Sequence, residues 1–281
     1  MSTIIDGKEL AKHIREELKE EVKELKNAEI HPKLAVIMVG DDPASKVYVR
    51  NKSRACEDVG IEYEEDLLPA KTTREELLEL IEKLNNDERV HGILVQSPLP
   101  EGLDANEAFR TILPKKDVDG FHPMNLGRLL AGNPDKIPCT PYGIMKMFAA
   151  YDINLAGKRA LVIGRSNIVG KPMAQLLLLA DATVTIAHSK TANLAELAKE
   201  ADILVVAIGR GHFVTKEFIK PGAVVIDVGM NRDEHGKLIG DVKFDEVEPL
   251  ASYITPVPKG VGPMTITMLM YQTVLAAEAG E

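Results

Sequence analysis

Leu10, Ile14, Leu18, Val22 and Leu25 recur at helical spacing through residues 7–26, which predicts an amphipathic first helix. LAVIMVG (34–40) has no polar member before its closing glycine, the pattern of a strand buried on both faces. VYVRNKSRACEDVG reads as a helix, and Thr73-Arg-Glu-Glu76 is a capping box that opens another, running to about Asn85. GILVQ (92–96) is a second buried strand, stopped by the prolines and glycine of SPLPEG. KKDVDGFHPMNLG (115–127) has no sustained period and reads as an ordered loop. A helix follows in PCTPYGIMKMFAAY, with Thr140 as N-cap and Pro141 at its first position.

From Lys158 the pattern begins again. RALVIG, ATVTIAH, DILVVAIG and AVVIDVG are four apolar strands about 20 residues apart. After the Pro/Gly-rich TPVPKGVGPMT comes an apolar helix, MTITMLMYQTVLAAEA, with no strand behind it. The fold class expected is α/β: two α/β domains facing each other across a cleft, the second of Rossmann type. Residues 1–140 form the first, completed by a terminal helix (263–281) that returns to it. Residues 141–262 form the dinucleotide-binding domain.

Composition narrows the classes. With 281 residues, 45% apolar and 27% charged, the chain is that of an ordinary globular protein. No apolar run approaches the roughly 20 residues of a membrane span. The N-terminus is too polar for a signal peptide and too acidic for a transit peptide. A net charge of −9 argues against nucleic acid or an anionic membrane as partner. The two cysteines, Cys56 and Cys139, show no metal-ligand spacing, so no metal is expected and the cytoplasm is the simplest compartment.

Candidate chemistry lies at three places. Tyr48 and Lys52 are one helical turn apart on one face. A lysine beside a ring can be held below its usual pKa and carry protons; the plainer reading is a surface lysine beside a half-buried tyrosine. RALVIGRSNIVGKPM is strand, turn and helix, the context of a dinucleotide site. Gly164 takes the first glycine place, Ser166 the second and Val169 the third, with Gly170 one step late; an ordinary strand–helix turn has the same pattern. The next strand ends in His188 and Ser189, with no carboxylate at its tip to bind a ribose 2′-hydroxyl. Ser189 and Arg165 suit a 2′-phosphate instead, so NADP is expected over NAD. His188 reads as a turn residue. Asp119, in KDVDG, can accept two hydrogen bonds from an amino-imine edge or cap its own turn.

Taken in order, these segments resemble the bifunctional methylenetetrahydrofolate dehydrogenase/cyclohydrolase family, called FolD in bacteria. YVRNKSRA, GILVQSPLP, KKDVDGFHPMNLGRL, PCTPYGI, GRSNIVGKPM, HSKT and PVPKGVGPMT carry the resemblance over nearly the whole chain. Two positions depart from the family's pattern: Ser97 replaces a usual leucine and Lys259 a usual glycine. The resemblance implies NADP-dependent oxidation of 5,10-methylenetetrahydrofolate, then hydrolysis of the methenyl product to 10-formyltetrahydrofolate. It implies Lys52, Gln96 and Tyr48 as catalytic residues, with Tyr48, Asp119 and Pro263 on the folate. Gly164, Arg165, Ser166, Ser189 and Met230 are implied for the cofactor, and a homodimer for the assembly.

Rival readings differ in order or content. A short-chain dehydrogenase would place its Tyr-x-x-x-Lys pair after the cofactor turn, not before it. A shikimate- or malic-type dehydrogenase would not explain GILVQSPLP. A non-catalytic folate- or nucleotide-binding regulator would be expected to lack Lys52 or Gln96.

Overall fold

The computed structural model describes residues 2–280. Its first half contains β1 (Thr3–Ile4), α1 (Gly7–Asn27), β2 (Lys33–Val39), α2 (Pro43–Val59), β3 (Glu62–Leu68) and α3 (Arg74–Asn86). β4 (Gly92–Val95), α4 (Ala105–Thr111), α5 (Pro123–Leu130) and α6 (Cys139–Ala150) follow. Next come β5 (Arg159–Ile163), α7 (Gly170–Leu179), β6 (Thr183–Ala187), α8 (Leu194–Ala198), β7 (Ile203–Val206) and β8 (Val224–Asp227). The chain closes with β9 (Asn231–Arg232), β10 (Leu238–Ile239), α9 (Phe244–Val247), β11 (Tyr253–Ile254) and α10 (Val261–Glu278).

These elements form two compact units, residues 12–139 with 266–281, and residues 1–11 with 140–265. The former holds a three-stranded parallel sheet in the order β3-β2-β4. β2 is buried from Leu34 to Val39, as an apolar run between two neighbours requires. α2 begins where Asp42 accepts a hydrogen bond from Ser45 N at 2.7 Å and Pro43 presets the first turn. It ends at Gly60, whose φ of 90° closes it in a left-handed cap. The Thr73–Glu76 capping box is formed as expected.

Two local expectations change, and one strand lies where the sequence predicts none. The loop 115–127 contains α5, because His122 caps it through Nδ1 and Pro123 presets its first turn. α6 starts at Cys139, so Thr140 lies inside the helix rather than at its cap. β3 (EYEEDLL) has no apolar alternation to predict it. It is an edge strand, and none of its residues is fully buried.

The other unit is a six-stranded parallel sheet, β1-β11-β8-β7-β5-β6. The four expected apolar strands are β5 to β8. Residues 1–11, expected in the first domain, belong here, because β1 pairs with β11 through Thr3–Tyr253 and Ile4–Ile254. α10 divides at Thr265/Ile266; its later part buries Met268, Leu269, Met270 and Gln272 in the unit of residues 12–139.

Candidate active site

In the three-stranded sheet, β3 lies on one side of β2 and β4 on the other. Strand order therefore reverses between β2 and β4, the place where parallel sheets open a crevice at their carboxyl ends. Gln96 extends β4 at that end, its N–H donating to Ile37 O at 2.8 Å. Lys52 comes from α2, which follows β2, and its Nζ donates to Gln96 Oε1 at 2.8 Å. Gln96 Nε2 donates to Ser97 O at 2.6 Å, which fixes which end of the amide faces the lysine. Ser97 contributes a carbonyl here; its side chain is exposed. Tyr48 is half-buried on α2, one turn before Lys52.

Lys52 is also half-buried, and burial lowers its pKa, with Asp119 opposing the shift. Burial pushes the Asp119 carboxyl up to about 6, against the attraction of Lys52 and with added repulsion from Asp117. An amine made less basic thus lies within electrostatic reach of a carboxyl made less acidic, a combination expected where protons move near neutral pH.

The two aspartates of KDVDG have different surroundings. Asp117 is the turn cap: its oxygens accept from Gly120 N, Phe121 N and His122 N at 3.1, 3.2 and 2.8 Å, and from Asn125 Nδ2 at 2.9 Å. Asp119, two residues on, has a hydrogen bond with the Cys139 side chain and lies within electrostatic reach of Lys52. Gly120 has φ +77°, and a Cβ there would strike Ile137 and Pro138, so only glycine lets the turn lie against the chain leading into α6.

The glycine-containing turn after β5 follows the same rule in the larger sheet. β6 lies on one side of β5 and β7 on the other, so the reversal falls between β5 and β7. Gly164 sits there at φ +130°, where a Cβ would collide with Ala207 O. Gly170, not Val169, fills the part of the third glycine. A Cβ on it would collide with Gly164 O, so its absence lets α7 press onto the strand. Ser166 Oγ accepts from Val169 N and Gly170 N at 3.1 and 3.2 Å, tying the turn to the start of α7.

Ile163 and Ala187 are register partners, and Gly164 N donates to Ala187 O at 2.9 Å. Arg165 and Ser189, each two residues past a partner, therefore leave adjacent strand ends, and both are exposed. His188 Nδ1 accepts from Lys190 N at 3.2 Å, the turn role expected of it. Met230 is exposed beyond the end of β8 and approaches Gly262. Pro263 lies in the first turn of α10. Met230 and Pro263 thus belong to the unit of residues 140–265, whereas Tyr48, Lys52, Gln96 and Asp119 belong to the other.

Several residues that no motif singles out organise these loops. Asp241 Oδ2 accepts from Ile208 N and Gly209 N, and Oδ1 from Arg210 N and Asn231 Nδ2, at 2.7–3.0 Å. Asp227 accepts from Gly229 N, Asp241 N and Val242 N, each at 2.9 Å. These buried carboxylates fix the loops after β7 and β8. Their signal in the sequence is DVGMN and GD, where glycine stands beside a polar residue at a strand end. Gln272 and Cys139 carry no such signal of a role.

Relatives give this arrangement its context. The model of the tetrahydrofolate dehydrogenase/cyclohydrolase catalytic domain matches residues 5–119, and that of the family's NAD(P)-binding domain matches residues 138–281. A bifunctional protein FolD of Enterococcus faecalis is 68% identical over 278 residues, 99% of each chain. The crystal structure of the bifunctional FolD methylenetetrahydrofolate dehydrogenase/cyclohydrolase from Campylobacter jejuni superposes with a TM-score of 0.98 at 50% identity, covering 99% of each chain. A Trypanosoma brucei FolD, solved with NADP cofactor and inhibitor, gives 0.95 at 40% identity over 99% of this chain and 98% of that one. With both domain models matched in order along one chain, the protein belongs to the tetrahydrofolate dehydrogenase/cyclohydrolase family.

Proposed function

We infer that the chain oxidises 5,10-methylenetetrahydrofolate with NADP and then hydrolyses the methenyl product to 10-formyltetrahydrofolate. The observation that carries this reading is the desolvated Lys52 amine, held by Gln96 at 2.8 Å and within electrostatic reach of Asp119. Asp119 binds the amino-imine edge of the folate's pterin, and the Tyr48 ring packs on its aromatic section. Lys52 takes a proton from the attacking water and returns one to the departing folate nitrogen, and Gln96 holds the amine in line for both transfers. Pro263 is assigned to the folate as well.

The nucleotide unit fits NADP. Gly164 and Gly170 leave no room for a Cβ where the turn must lie close, and Arg165 and Ser189 sit together at adjacent strand ends, suited to a 2′-phosphate. When bound, NADP supplies the hydride acceptor. Gly164, Arg165, Ser166, Ser189 and Met230 hold and orient it. In this reading residues 12–139 with the end of α10 are the catalytic, folate-binding domain, and residues 140–265 the NADP-binding one.

The chain works as a homodimer in the cytoplasm, without nucleic acid or membrane partners. Support for the dimer comes from β6, an edge strand with Ile186 exposed, and from α7, which packs near β6 and exposes Leu178 and Leu179; an apolar open edge invites pairing with a second copy. Among the described residues no helix is long and apolar enough to cross a membrane. Absorbance of the purified enzyme with methylenetetrahydrofolate and each nicotinamide cofactor tests the reaction. NADPH formation followed by decay of the methenyl signal is expected; neither signal, at any cofactor concentration, would overturn the assignment.

A further inference from the structure

Gln272 is a lone amide on a stretch of α10 that is otherwise apolar from Ile266 to Tyr271 apart from Thr267, and it is 1% exposed. Its Nε2 donates to Val118 O at 2.7 Å and Ile137 O at 2.8 Å, while its Oε1 accepts from Ile137 N at 2.7 Å. Both amide hydrogens and one oxygen lone pair are thereby used on main chain. Cys139 Sγ lies 3.4 Å from the same Nε2 and itself donates to Val118 O at 3.2 Å. Val118 immediately precedes Asp119, and Cys139 opens α6. One side chain therefore ties the peptide before Asp119 to the chain segment that packs behind Gly120.

The turn that carries Asp119 is thus held from two sides. Asp117 gathers the N–H groups after it, and Gln272 takes the carbonyl before it. Two residues earlier on the helix, Met270 Sδ lies 3.2 Å from Cys56 Sγ, and Cys56 is one turn beyond Lys52 on α2. The terminal helix touches both the element that carries Lys52 and the turn that carries Asp119.

We propose that Gln272 is a positioning residue for Asp119, its amide setting where that carboxylate meets the folate's amino-imine edge. The inference rests on the reading that Asp119 binds folate. It makes the terminal helix a determinant of folate affinity, although the helix side chain itself does not reach the ligand. A misplaced bidentate contact loses alignment as well as energy.

Gln272→Met preserves length and bulk but removes both donors and the acceptor. Expected are a rise of about tenfold or more in the Kd for methylenetetrahydrofolate, a larger change in KM than in kcat, and a displaced acid limb of kcat/KM. The Kd for NADP alone should stay at the wild-type value. Lower thermal stability with wild-type folate Kd and an unmoved acid limb would overturn the proposal, leaving Gln272 a packing residue only. If Gln272→Met does not fold, Gln272→Asn keeps the amide one methylene short of its partners. It should weaken folate binding in the same direction, and wild-type affinity there would overturn the proposal equally. Asp119→Ala runs alongside. Normal folate binding by Asp119→Ala sinks the assignment of Asp119 and the positioning role together, whereas loss there with a silent Gln272→Met sinks the positioning role alone.

Discussion

Lys52 Nζ and Gln96 Oε1 are 2.8 Å apart, and the other end of the Gln96 amide is held by Ser97 O at 2.6 Å. The amide cannot turn over without losing both contacts, so it presents its oxygen to the lysine. Hydride loss from the methylene carbon is assisted by the neighbouring folate nitrogen and asks the protein mainly for alignment. Ring opening asks for proton transfer. Lys52→Met should therefore lower cyclohydrolase activity by about 10²–10⁴-fold while measurable dehydrogenase activity survives. Gln96→Ala should impair both steps. Following methenyl decay and NADPH formation separately decides the matter; a wild-type rate of methenyl opening in Lys52→Met would remove Lys52 from the mechanism.

Asp119 gives a pH dependence with a definite sign. Burial pushes its carboxyl up to about 6, and, on the proposal that Asp119 binds the folate, the protonated acid cannot accept both hydrogen bonds. KM for the folate should rise as pH falls below about 6. The same shift acts on stability. A carboxyl whose folded pKa lies above its unfolded value of about 3.9 holds its proton more tightly when folded, so it opposes folding as pH rises from about 4 to 6 and by a constant amount above that. Asp119→Asn should be more stable than wild type at pH 7 by ~1–3 kcal/mol, with the difference vanishing near pH 4. Urea titrations at both pH values measure it.

Arg165 and Ser189 leave adjacent strand ends, and the charge resides on Arg165. Arg165→Ala should weaken NADP by about ten- to a hundredfold through loss of a charge-assisted contact, and NAD by far less. Comparing kcat/KM with the two cofactors reads this directly. Equal losses would mean that Arg165 does not recognise the 2′-phosphate.

The exposed edge of β6 makes the dimer testable. Ile186 is 40% exposed on a strand with no neighbour on its outer side among the described residues. Placing a charge there disfavours edge-to-edge pairing. Ile186→Lys should shift sedimentation from dimer to monomer with the wild-type circular dichroism spectrum retained. A wild-type sample that sediments as a monomer would end the dimer reading.

Much of this is legible in the residues because the buried parallel strands are continuous apolar runs, which pattern alone reveals. β3 is not, since Glu62, Glu64, Glu65 and Asp66 occupy an edge strand with no fully buried residue; such a strand carries no hydrophobic period. α5 is hidden by Pro123 and Gly127, residues that read as loop until His122 is seen to cap the helix. Lys52 and Gln96 can be named from motifs 44 residues apart in sequence, but their contact requires the strand order. Gln272 leaves one trace, an amide within an apolar helix, and only the fold shows that its partners are Val118 and Ile137.

Lys259 is where an unusual residue meets an unusual backbone. It has φ +83°, in the left-handed region where a Cβ crowds the neighbouring carbonyl and glycine does not. The position cannot relax easily. Lys8 N donates to Lys259 O at 2.9 Å, and the following Gly260 is packed so closely that a Cβ would collide with Pro256 O. Lys259 is exposed, so its side chain offers little packing to offset the strain. Replacing it by glycine removes a penalty of roughly 1–2 kcal/mol and restores up to about 1 kcal/mol of chain entropy to the unfolded state, leaving a small net gain. Lys259→Gly should therefore raise stability by about 0.5–1 kcal/mol, whereas Lys259→Val, with a branched Cβ, should lower it. Chemical denaturation of the three proteins at one pH measures both differences. A glycine variant less stable than wild type would show that the lysine side chain contributes more than its backbone costs.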